Sequence, residues 1–297
     1  PVVRPHDMAF LQYTSGTTAK AKGVMLSHGN LVANIAQAKL VIAKGLKHEQ
    51  EIIITALPLY HIFSLMANCC LFFTLGAHNV LIPNARDIPS LIKVMRRIPF
   101  TSFTGVNTLF LALLDHARFR GISFKHLTLT VGGGMAVQEA VAKRWHTVTG
   151  CVLTQAYGMT EASPAITMNP VDSAHYSASV GKALPGTMIT IRDDAGKVLS
   201  TGKQGEVWVQ GPQVMLGYWQ QAQASKQALV QGWLRTGDVG YLDKDGCLTL
   251  VDRLKDLIIV SGFNVAPAEI ESVLLLHSAI QEACVVSLPD KKQGETI

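Results

Sequence analysis

The sequence predicts an α/β protein with a doubly wound sheet region, a small β-rich subdomain and the start of a small C-terminal α/β lid domain. Up to about residue 180, short apolar runs typical of buried strands alternate with longer amphipathic segments typical of helices. Beyond Gly181, short strands are separated by turns rich in Gly and Asp. We therefore expect three domains, at residues 1–180, 181–253 and 254–297.

The elements of the first domain follow from this alternation. Asp87 before Pro89, and Asn107 further on, are residues that commonly start helices. The predicted strands include Glu51–Leu57, Asn79–Pro83, Thr101–Thr104, Leu127–Val131 and Val152–Gln155, and the predicted helices include Asn30–Ala43, Pro89–Arg97 and Gln138–Val148.

The two later domains are predicted from shorter segments. The β-rich subdomain holds the strands Met188–Arg192, Glu206–Gln210 and Leu248–Val251. The last domain is expected to contain a strand at Leu257–Val260, a helix at Ala268–His277 that Pro267 opens, and a strand at Ala283–Ser287.

Composition narrows the class of protein. Of 297 residues, 48% are hydrophobic and 16% charged, which is typical of a globular chain with a full core. The net charge is +5, but the Lys and Arg residues are scattered and no basic block alternates with aromatics. We therefore expect no nucleic-acid partner, while weak attraction to acidic membrane surfaces or nucleotide phosphates stays compatible.

The cysteines and the longest uncharged run indicate the compartment. The five cysteines form no C-x-x-C pair and no zinc spacing, so we expect buried free thiols in a reducing, cytoplasmic setting. No Asp, Glu, Lys or Arg lies between Glu51 and Arg86, which is long enough for a membrane span. Because Pro58, His61 and Gly76 interrupt it, a buried strand, helix and second strand is the favoured interpretation. Since no signal peptide precedes Pro1, we expect an excised piece of a cytoplasmic protein.

A Ser/Thr/Gly-rich segment near the start is a candidate phosphate loop. Residues Thr14–Gly23 follow the apolar run Met8–Tyr13 and precede a predicted helix. Hydroxyls and glycine amides can donate to phosphate oxygens, and Lys20 and Lys22 add positive charge. The Walker A spacing is absent, so the residues alone leave an ordinary loop as the alternative.

Two further segments follow predicted strands, where α/β proteins bind ligands. Gly132-Gly133-Gly134 would let backbone approach a flat ligand closely. In Tyr157-Gly158-Met159-Thr160-Glu161, the tyrosine can stack on adenine, Thr160 can hydrogen-bond the α-phosphate and Glu161 can hold Mg²⁺. Without other motifs, each segment is equally an ordinary turn.

A charged run closes the β-rich subdomain. Residues 231–255 contain the turn Thr236-Gly237-Asp238 and end on Asp252-Arg253-Leu254-Lys255. Asp238 is suited to accept hydrogen bonds from two ribose hydroxyls, and the planar guanidinium of Arg253 can reach ribose or phosphate oxygens. A turn Asp is the plain alternative.

Taken together, these segments resemble the adenylate-forming superfamily, which binds AMP and includes the acyl-CoA synthetases. Residues 231–255 resemble its fatty acyl-CoA synthetase signature, and Tyr13–Gly23 resembles its phosphate-binding loop. The resemblance is greatest to bacterial long-chain fatty acid–CoA ligases and extends over essentially the whole chain, as an internal fragment. It implies ATP, Mg²⁺ and CoA as reactants, an acyl-adenylate intermediate and a CoA thioester product.

The resemblance also implies roles for particular residues. Thr160, Glu161 and the hinge residue Lys255 would be catalytic, with Glu161 on the metal. Leu57–Phe63, including His61, would line the acyl pocket together with Gly132, and Gly262 would pack against the pantetheine arm of CoA. The implied nucleotide contacts are Thr14, Ser15, Gly16, Thr17, Thr18, Lys22, Gly133, Gly134, Tyr157, Gly158, Asp238 and Arg253.

Several alternatives stay open at this point. The family's adenylation lysine would lie beyond Ile297 and a substantial N-terminal portion would precede Pro1, so we expect the 297-residue chain alone to be inactive. A fatty acyl-AMP ligase or an acyl-carrier-protein synthetase would carry the same motifs. Ala19 and Ala156 stand where the family has Gly, which leaves a degenerate acyl- or nucleotide-binding module as a further reading. Peripheral contact with the inner face of a membrane is compatible with the sequence. The preferred length of the acyl chain does not follow from it.

Overall fold

A computed structural model describes residues 2–14, 21–46, 50–260, 263–275, 277, 279–280, 283–290 and 294–297. The chain forms two compact units, of which the first comprises Pro1–Met188 with Gln210–Leu234 and the second Ile189–Val209 with Arg235–Ile297. Residues 210–234, which the sequence assigns to the β-rich subdomain, thus belong to the first unit. The division into three domains at residues 180 and 253 stays a prediction.

The strands and helices match most of the predicted elements to within a few residues. The strands are β1 Met8–Thr14, β2 Lys22–Ser27, β3 Ile52–Thr55, β4 His78–Leu81, β5 Ser102–Gly105, β6 Leu129–Gly132, β7 Leu153–Gly158, β8 Ala165–Met168, β9 Gly181–Ala183, β10 Met188–Arg192, β11 Gly205–Gln210, β12 Gly217–Tyr218, β13 Leu229–Val230, β14 Trp233–Leu242, β15 Cys247–Arg253, β16 Ile258–Val260, β17 Phe263–Val265, β18 Leu288–Asp290 and β19 Gly294–Thr296. The helices are α1 His28–Ile42, α2 Phe72–Thr74, α3 Ile88–Met95, α4 Asn107–Asp115, α5 Glu139–Thr149, α6 Ala222–Ala228 and α7 Pro267–Leu274, with a π-helix at Ser64–Leu71.

The main sheet of the first unit is doubly wound, as predicted. Its strands run in the order β4-β3-β5-β6-β7-β8-β9, with β3 to β7 parallel and β8 and β9 antiparallel. The order reverses between β3 and β5, because the chain moves outward to β4 and then returns. Consecutive residues of β3 belong to different cores: Ile54 packs with α3, α4 and α5, and Ile53 packs with α1 and the π-helix. Both faces of the sheet are therefore covered.

Aromatic rings fill the core on the α4 and α5 side. Trp145 is fully buried, stacks on Phe103 with ring centroids 5.7 Å apart, and meets Phe110 edge-on at 4.9 Å. Its indole nitrogen donates to the Thr130 hydroxyl at 3.2 Å, so the polar edge is satisfied inside the core. This packing fixes β5, β6 and α5 relative to one another.

The uncharged run Glu51–Arg86 forms the strand, helix and second strand favoured from the sequence, but the second strand is not buried as predicted, since both its ends are exposed. It forms β3, the π-helix with α2, and then β4, which pairs in parallel with β3. Within the residues that the structure describes, no helix is long and apolar enough to cross a membrane.

The second unit contains two sheets. One has the order β10-β11-β14-β15, and the other, of β17-β16-β19-β18, is antiparallel. Helix α7 begins beside β15, where the backbone amide of Ala268 donates to the Asp252 carboxylate at 3.1 Å. The predicted strand Ala283–Ser287 is wrong, since the strand begins at Leu288. The reason is local: the amide of Val285 donates to the Glu271 side chain at 2.8 Å instead of to a strand partner.

The expectation of buried thiols is correct for one cysteine only. All five cysteines are free, but Cys151 alone is buried and Cys284 is exposed. Cys69 and Cys70 are consecutive in the π-helix, so they cannot both face the core, and each is half-buried.

Candidate functional site

The predicted ligand segments of the first unit lie at one edge of its main sheet. Because β3, β6 and β7 are parallel, their carboxyl ends meet at the same edge. Residues 57–63 follow β3, Gly133 and Gly134 follow β6, and Tyr157 and Gly158 end β7. The reversal of strand order between β3 and β5 is also where open α/β sheets bind ligands.

The glycine turn and the predicted acyl-pocket segment are in contact. A Cβ at Gly133 would lie 3.3 Å from the ring of Phe63, and a Cβ at Gly132 would lie 2.6 Å from the Val137 side chain. Gly134 has φ +78°, a conformation that side chains disfavour. The turn therefore requires glycine. Phe63, from the predicted acyl-pocket segment, packs against it.

His61 is an exposed residue rather than a core histidine. Its Nδ1 accepts a hydrogen bond from the Phe63 amide at 3.2 Å. Partial desolvation of the ring lowers the pKa of His61 from its ordinary value, so the imidazole is neutral at pH 7. A neutral ring suits the wall of an apolar pocket better than a charged one.

The end of β7 crosses another backbone segment closely. A Cβ at Gly158 would lie 2.1 Å from the carbonyl oxygen of Pro164, and the Met159 amide donates to that same oxygen at 2.9 Å. Thr160 and Glu161 follow in a short 3₁₀ turn. Tyr157 is itself 8% exposed. Glycine at 158 therefore lets the chain double back and fixes the position of Glu161.

Glu161 is a buried carboxylate held by a neutral donor. It is 9% exposed, and its Oε1 accepts from the Tyr218 hydroxyl at 2.8 Å. Burial raises the pKa of Tyr218 far above its ordinary value, and the charge of Glu161 raises it further. The phenol therefore stays protonated and donates its hydrogen bond without carrying a formal charge.

Lys22 lies on the face of the same tyrosine. Its Nζ is 4.9 Å from the centroid of the Tyr218 ring, within the range of a cation–π contact. Thr14 and Lys22 are directly paired across β1 and β2, so they flank the predicted phosphate loop. Ser15, Gly16, Thr17 and Thr18 lie outside the described residues. Tyr218 thus contacts both Glu161 and Lys22, at the end of the predicted phosphate loop. Sequence reasoning missed this tyrosine.

A buried polar network anchors the segment that carries Tyr218. The Asn30 side chain accepts from the amide of Ser27, the N-cap of α1, and donates to the carbonyls of Pro212 and Val214 at 2.7 and 2.8 Å. The Met215 amide donates to the Glu161 carbonyl at 2.9 Å, and the Ser163 hydroxyl donates to the Gln213 carbonyl at 2.8 Å. These bonds tie residues 212–215 to Glu161, to Ser163 and to the first turn of α1.

The residues around Glu161 fit a magnesium ion that nucleotide phosphates help to coordinate. Among the residues that the structure describes, no group of three or more His, Cys, Asp and Glu could hold a metal. A dedicated protein cage is therefore not formed there. Mg²⁺ commonly binds through one or two carboxylates with phosphates and waters completing its shell, which matches a single buried carboxylate.

In the second unit, Asp238 and Arg253 form a pair across β14 and β15. They are direct partners in the strand register, and Arg253 Nε lies 3.4 Å from Asp238 Oδ1. The Asp238 side chain is 13% exposed and the Arg253 side chain 59%. The predicted turn Thr236-Gly237-Asp238 is wrong, since these residues lie within β14. Gly237 takes φ +73° inside that strand, a conformation that favours glycine. Two predicted nucleotide residues thus lie side by side.

A buried carboxylate supports this part of β14, and sequence reasoning missed it as well. Glu206 accepts from Arg235 Nη2 at 2.9 Å, from the Trp208 indole at 2.9 Å and from the Gly237 amide at 3.2 Å. Because Gly237 precedes Asp238, Glu206 fixes the backbone that positions the Asp238 carboxylate. A lone Glu in a strand carries no sequence signal for this role.

The predicted hinge residue follows β15. Lys255 lies in a turn and its Nζ is 3.5 Å from the Asp256 carboxylate, with both side chains well exposed. Gly262, predicted to contact CoA, lies outside the described part of the chain.

The fold and this site define the class of protein. A sequence profile described as the AMP-binding enzyme family matches residues 1–219. The chain belongs to this family of adenylate-forming enzymes.

Particular relatives are similar over the whole chain. A long-chain-fatty-acid–CoA ligase of Yersinia pestis is 52% identical over 297 residues, which is 100% of this chain and 53% of that protein. The chain thus spans about half the length of the curated relatives it matches.

Two solved structures share the fold. The ATP-bound MatB of Rhodopseudomonas palustris has a TM-score of 0.90 and 32% identity, over 98% of this chain and 57% of that one. The o-succinylbenzoate coenzyme A synthetase MenE of Bacillus subtilis, in complex with ATP and magnesium ion, has a TM-score of 0.86 and 33% identity, over 99% and 60%.

Proposed function

We propose that the complete product of the gene encoding this chain is an ATP-dependent long-chain fatty acid–CoA ligase. The 52% identity to a bacterial enzyme of that name supports the proposal. The observation that carries it is the Glu161 carboxyl group, which is buried, accepts a hydrogen bond from a neutral phenol and lies at the ligand-binding edge of a doubly wound sheet. Such a carboxylate is otherwise costly, which favours a cationic ligand at this place.

The first half-reaction joins the fatty carboxylate to the α-phosphorus of ATP and releases pyrophosphate. A fatty acid is already ionised at neutral pH, so no general base is required. When bound, Mg²⁺ supplies charge neutralisation on the phosphates. Glu161 would hold that ion, Thr160 would donate to the α-phosphate and Lys22 would attract phosphate oxygens. Catalysis by these residues consists of positioning and charge stabilisation.

The remaining residues bind the rest of the nucleotide and the acyl chain. Tyr157, Gly133 and Gly134 are proposed to line the adenine pocket. Gly158, which has no side chain, is proposed to let the backbone approach the base. Asp238 and Arg253 are proposed to bind the ribose. Phe63 and His61 with Gly132 form one wall of the acyl pocket, where the contact of Phe63 with Gly133 puts an apolar ring beside the turn.

The second half-reaction transfers the acyl group to CoA. The thiol sulfur attacks the acyl carbonyl, its proton passes to solvent, and AMP leaves with the electrons of the acyl–oxygen bond. Lys255 is proposed as the hinge at which the residues beyond β15 rotate between the two steps. Its exposed turn is compatible with a change of backbone angles there. Gly262 is proposed to meet the pantetheine arm.

Two other functions use the same residues. A fatty acyl-AMP ligase would stop at the adenylate, and an acyl-carrier-protein synthetase would use another thiol. The acyl group also differs between proteins of this fold, since MenE is an o-succinylbenzoate coenzyme A synthetase. That the 297-residue chain alone is inactive, that it is cytoplasmic and that it makes peripheral membrane contact all stay predictions.

One assay tests the proposal and separates the alternatives. The complete gene product is incubated with ATP, Mg²⁺ and fatty acids of increasing length, with and without CoA, and the products are read by mass spectrometry. Acyl-CoA that forms only with CoA, and best with long chains, is the expected result. Acyl-AMP that accumulates whether or not CoA is present would contradict the CoA step, and o-succinylbenzoate serves as the non-fatty control acid.

A further inference from the structure

We propose that Tyr218 is a positioning residue that sets both the Glu161 carboxylate and the Lys22 ammonium for magnesium-bound ATP. One side chain would thereby couple metal recognition to phosphate recognition. This inference rests on the proposed function, because it assigns Glu161 to the metal and Lys22 to the phosphates.

The hydroxyl of Tyr218 fixes the carboxylate. It donates to Oε1 of Glu161 at 2.8 Å, and within the described residues it is the one side-chain donor to that group. An oxygen held in this way fixes the carboxylate plane, so Oε2 has a defined direction for a metal. A charge-assisted hydrogen bond of this kind is among the stronger ones in proteins.

The chemistry of the donor suits a metal ligand. An Arg or Lys partner would satisfy Glu161 but would also place a positive charge beside an incoming cation. A phenol donates a hydrogen bond without a formal charge. The carboxylate can therefore be fixed and still attract Mg²⁺.

The ring of Tyr218 fixes the ammonium. Lys22 Nζ lies 4.9 Å from the ring centroid and forms no ion pair among the described residues. A cation–π contact uses the charge of the ammonium but none of its N–H bonds. The three donors of Lys22 therefore stay available for phosphate oxygens.

Tyr218 is itself held on several sides. It is 7% exposed and pairs with Val24 of β2. Its amide donates to the Ser225 hydroxyl at 2.8 Å, and the preceding Gly217 has φ +142°, which a side chain would disfavour. Because the backbone of Tyr218 is held in this way, its ring can restrain the positions of both Glu161 and Lys22.

The test compares two substitutions in the complete gene product. Tyr218→Phe keeps the ring and removes the hydroxyl, whereas Tyr218→Leu removes both. Tyr176→Phe is the matched control, because that hydroxyl donates to the backbone carbonyl of Val137. Binding of the α,β-methylene analogue of ATP, which cannot form an adenylate, is measured by calorimetry with and without Mg²⁺, and thermal unfolding of each variant is recorded.

The expected result separates the two contacts. Tyr218→Phe should reduce the gain in affinity that Mg²⁺ gives by roughly tenfold and leave metal-free affinity unchanged. Tyr218→Leu should also weaken metal-free binding, by about two- to fivefold. Tyr176→Phe should change neither.

Two outcomes would overturn the assignment. One is a Tyr218→Phe variant that keeps the full gain from Mg²⁺. The other is a Tyr218→Phe variant that binds less tightly with and without metal alike and unfolds at lower temperature than Tyr176→Phe, which would make the residue structural. If the unsubstituted protein itself gains nothing from Mg²⁺, the proposed function fails first, and the assignment of Tyr218 fails with it.

Discussion

Glu161 in the first unit and Asp238 in the second are both proposed nucleotide carboxylates, but they are held by opposite kinds of partner. Glu161 accepts from the neutral Tyr218 hydroxyl at 2.8 Å and is 9% exposed. The Asp238 side chain is 13% exposed and lies 3.4 Å from the cationic Arg253. Glu161 is buried and Asp238 half-buried, and the charge of the partner differs.

This difference suits the two ligands that we propose. A carboxylate that keeps its net charge attracts a divalent ion, whereas one balanced by a guanidinium is better suited to accept from uncharged hydroxyls. A ribose carries two such hydroxyls. The partner of each carboxylate, more than its own burial, therefore indicates what it binds.

The largest effect is expected when Glu161 loses its charge. Glu161→Gln can still accept from Tyr218 but cannot balance a divalent ion, so acyl-adenylate formation should fall about 10²–10³-fold. Pyrophosphate exchange in the complete gene product measures this step. Asp172→Asn, which removes a surface carboxylate paired with Lys44, is the control and should leave the rate unchanged. A Glu161→Gln enzyme with near-normal exchange would break the comparison.

The second prediction compares the glycines that position the two carboxylates. Alanine at Gly158 would place its Cβ 2.1 Å from a backbone oxygen, so we expect Gly158→Ala to destabilise the protein by about 3 kcal/mol. Alanine at Gly237 meets no atom within 4 Å but must adopt φ +73°, at a cost of about 1 kcal/mol.

Urea unfolding of the three variants checks this ranking. Gly121→Ala is the control, since nothing lies within 4 Å of its Cβ and its φ is ordinary, and it should change the unfolding free energy little. A Gly237→Ala variant less stable than Gly158→Ala would show that the close crossing near Glu161 is not the tighter constraint.

A smaller effect is expected at the second carboxylate. Asp238→Asn keeps the shape of the side chain but loses the charge that balances Arg253. Because an amide has only one accepting oxygen, it can accept from one ribose hydroxyl but not from both. The KM for ATP should rise about tenfold with little change in kcat. Steady-state kinetics with varied ATP measures this. If 2′-deoxy-ATP lost as much affinity to the variant as ATP does, the ribose assignment would be contradicted.

The smallest effect concerns a tyrosine whose hydroxyl has a neutral acceptor. Burial raises the pKa of Tyr176 to about 12, with the charge of Glu139 adding to it. The unfolded chain releases this proton near pH 10, so the folded state loses stability as pH rises from about 10 to 12. Tyr176→Phe should flatten the fall in urea midpoint over that range. Equal slopes for both proteins would be the contrary result.

The sequence predicts most of the first unit because its signals are local. β3 to β7 are short runs of apolar residues with punctuating Gly, Pro and Asp, and the pattern predicts each of them to within a few residues. Asp87 and Asn107 begin α3 and α4 as expected. The strand at 283–287 fails because a single side chain, Glu271, takes a backbone amide that the pattern assigns to a sheet.

The candidate site is only partly predictable for the same reason. Glu161, Asp238 and Lys22 were found through motifs, but their partners Tyr218 and Glu206 lie far away in sequence and carry no motif of their own. Tyr218 meets Glu161 across 57 residues, and Glu206 meets Gly237 across 31. Such pairs depend on strand register, which one sequence without an alignment does not supply.

The most direct test of the difference between the two carboxylates is calorimetric binding of the α,β-methylene analogue of ATP to Glu161→Gln and Asp238→Asn, with and without Mg²⁺. If the hydrogen-bond or ion-pair partner of each carboxylate indicates its ligand, Glu161→Gln should lose only the increase in affinity that Mg²⁺ gives. Asp238→Asn should lose a similar factor in affinity with and without Mg²⁺. The same loss pattern in both variants, or a metal-dependent loss at Asp238 alone, would contradict the account.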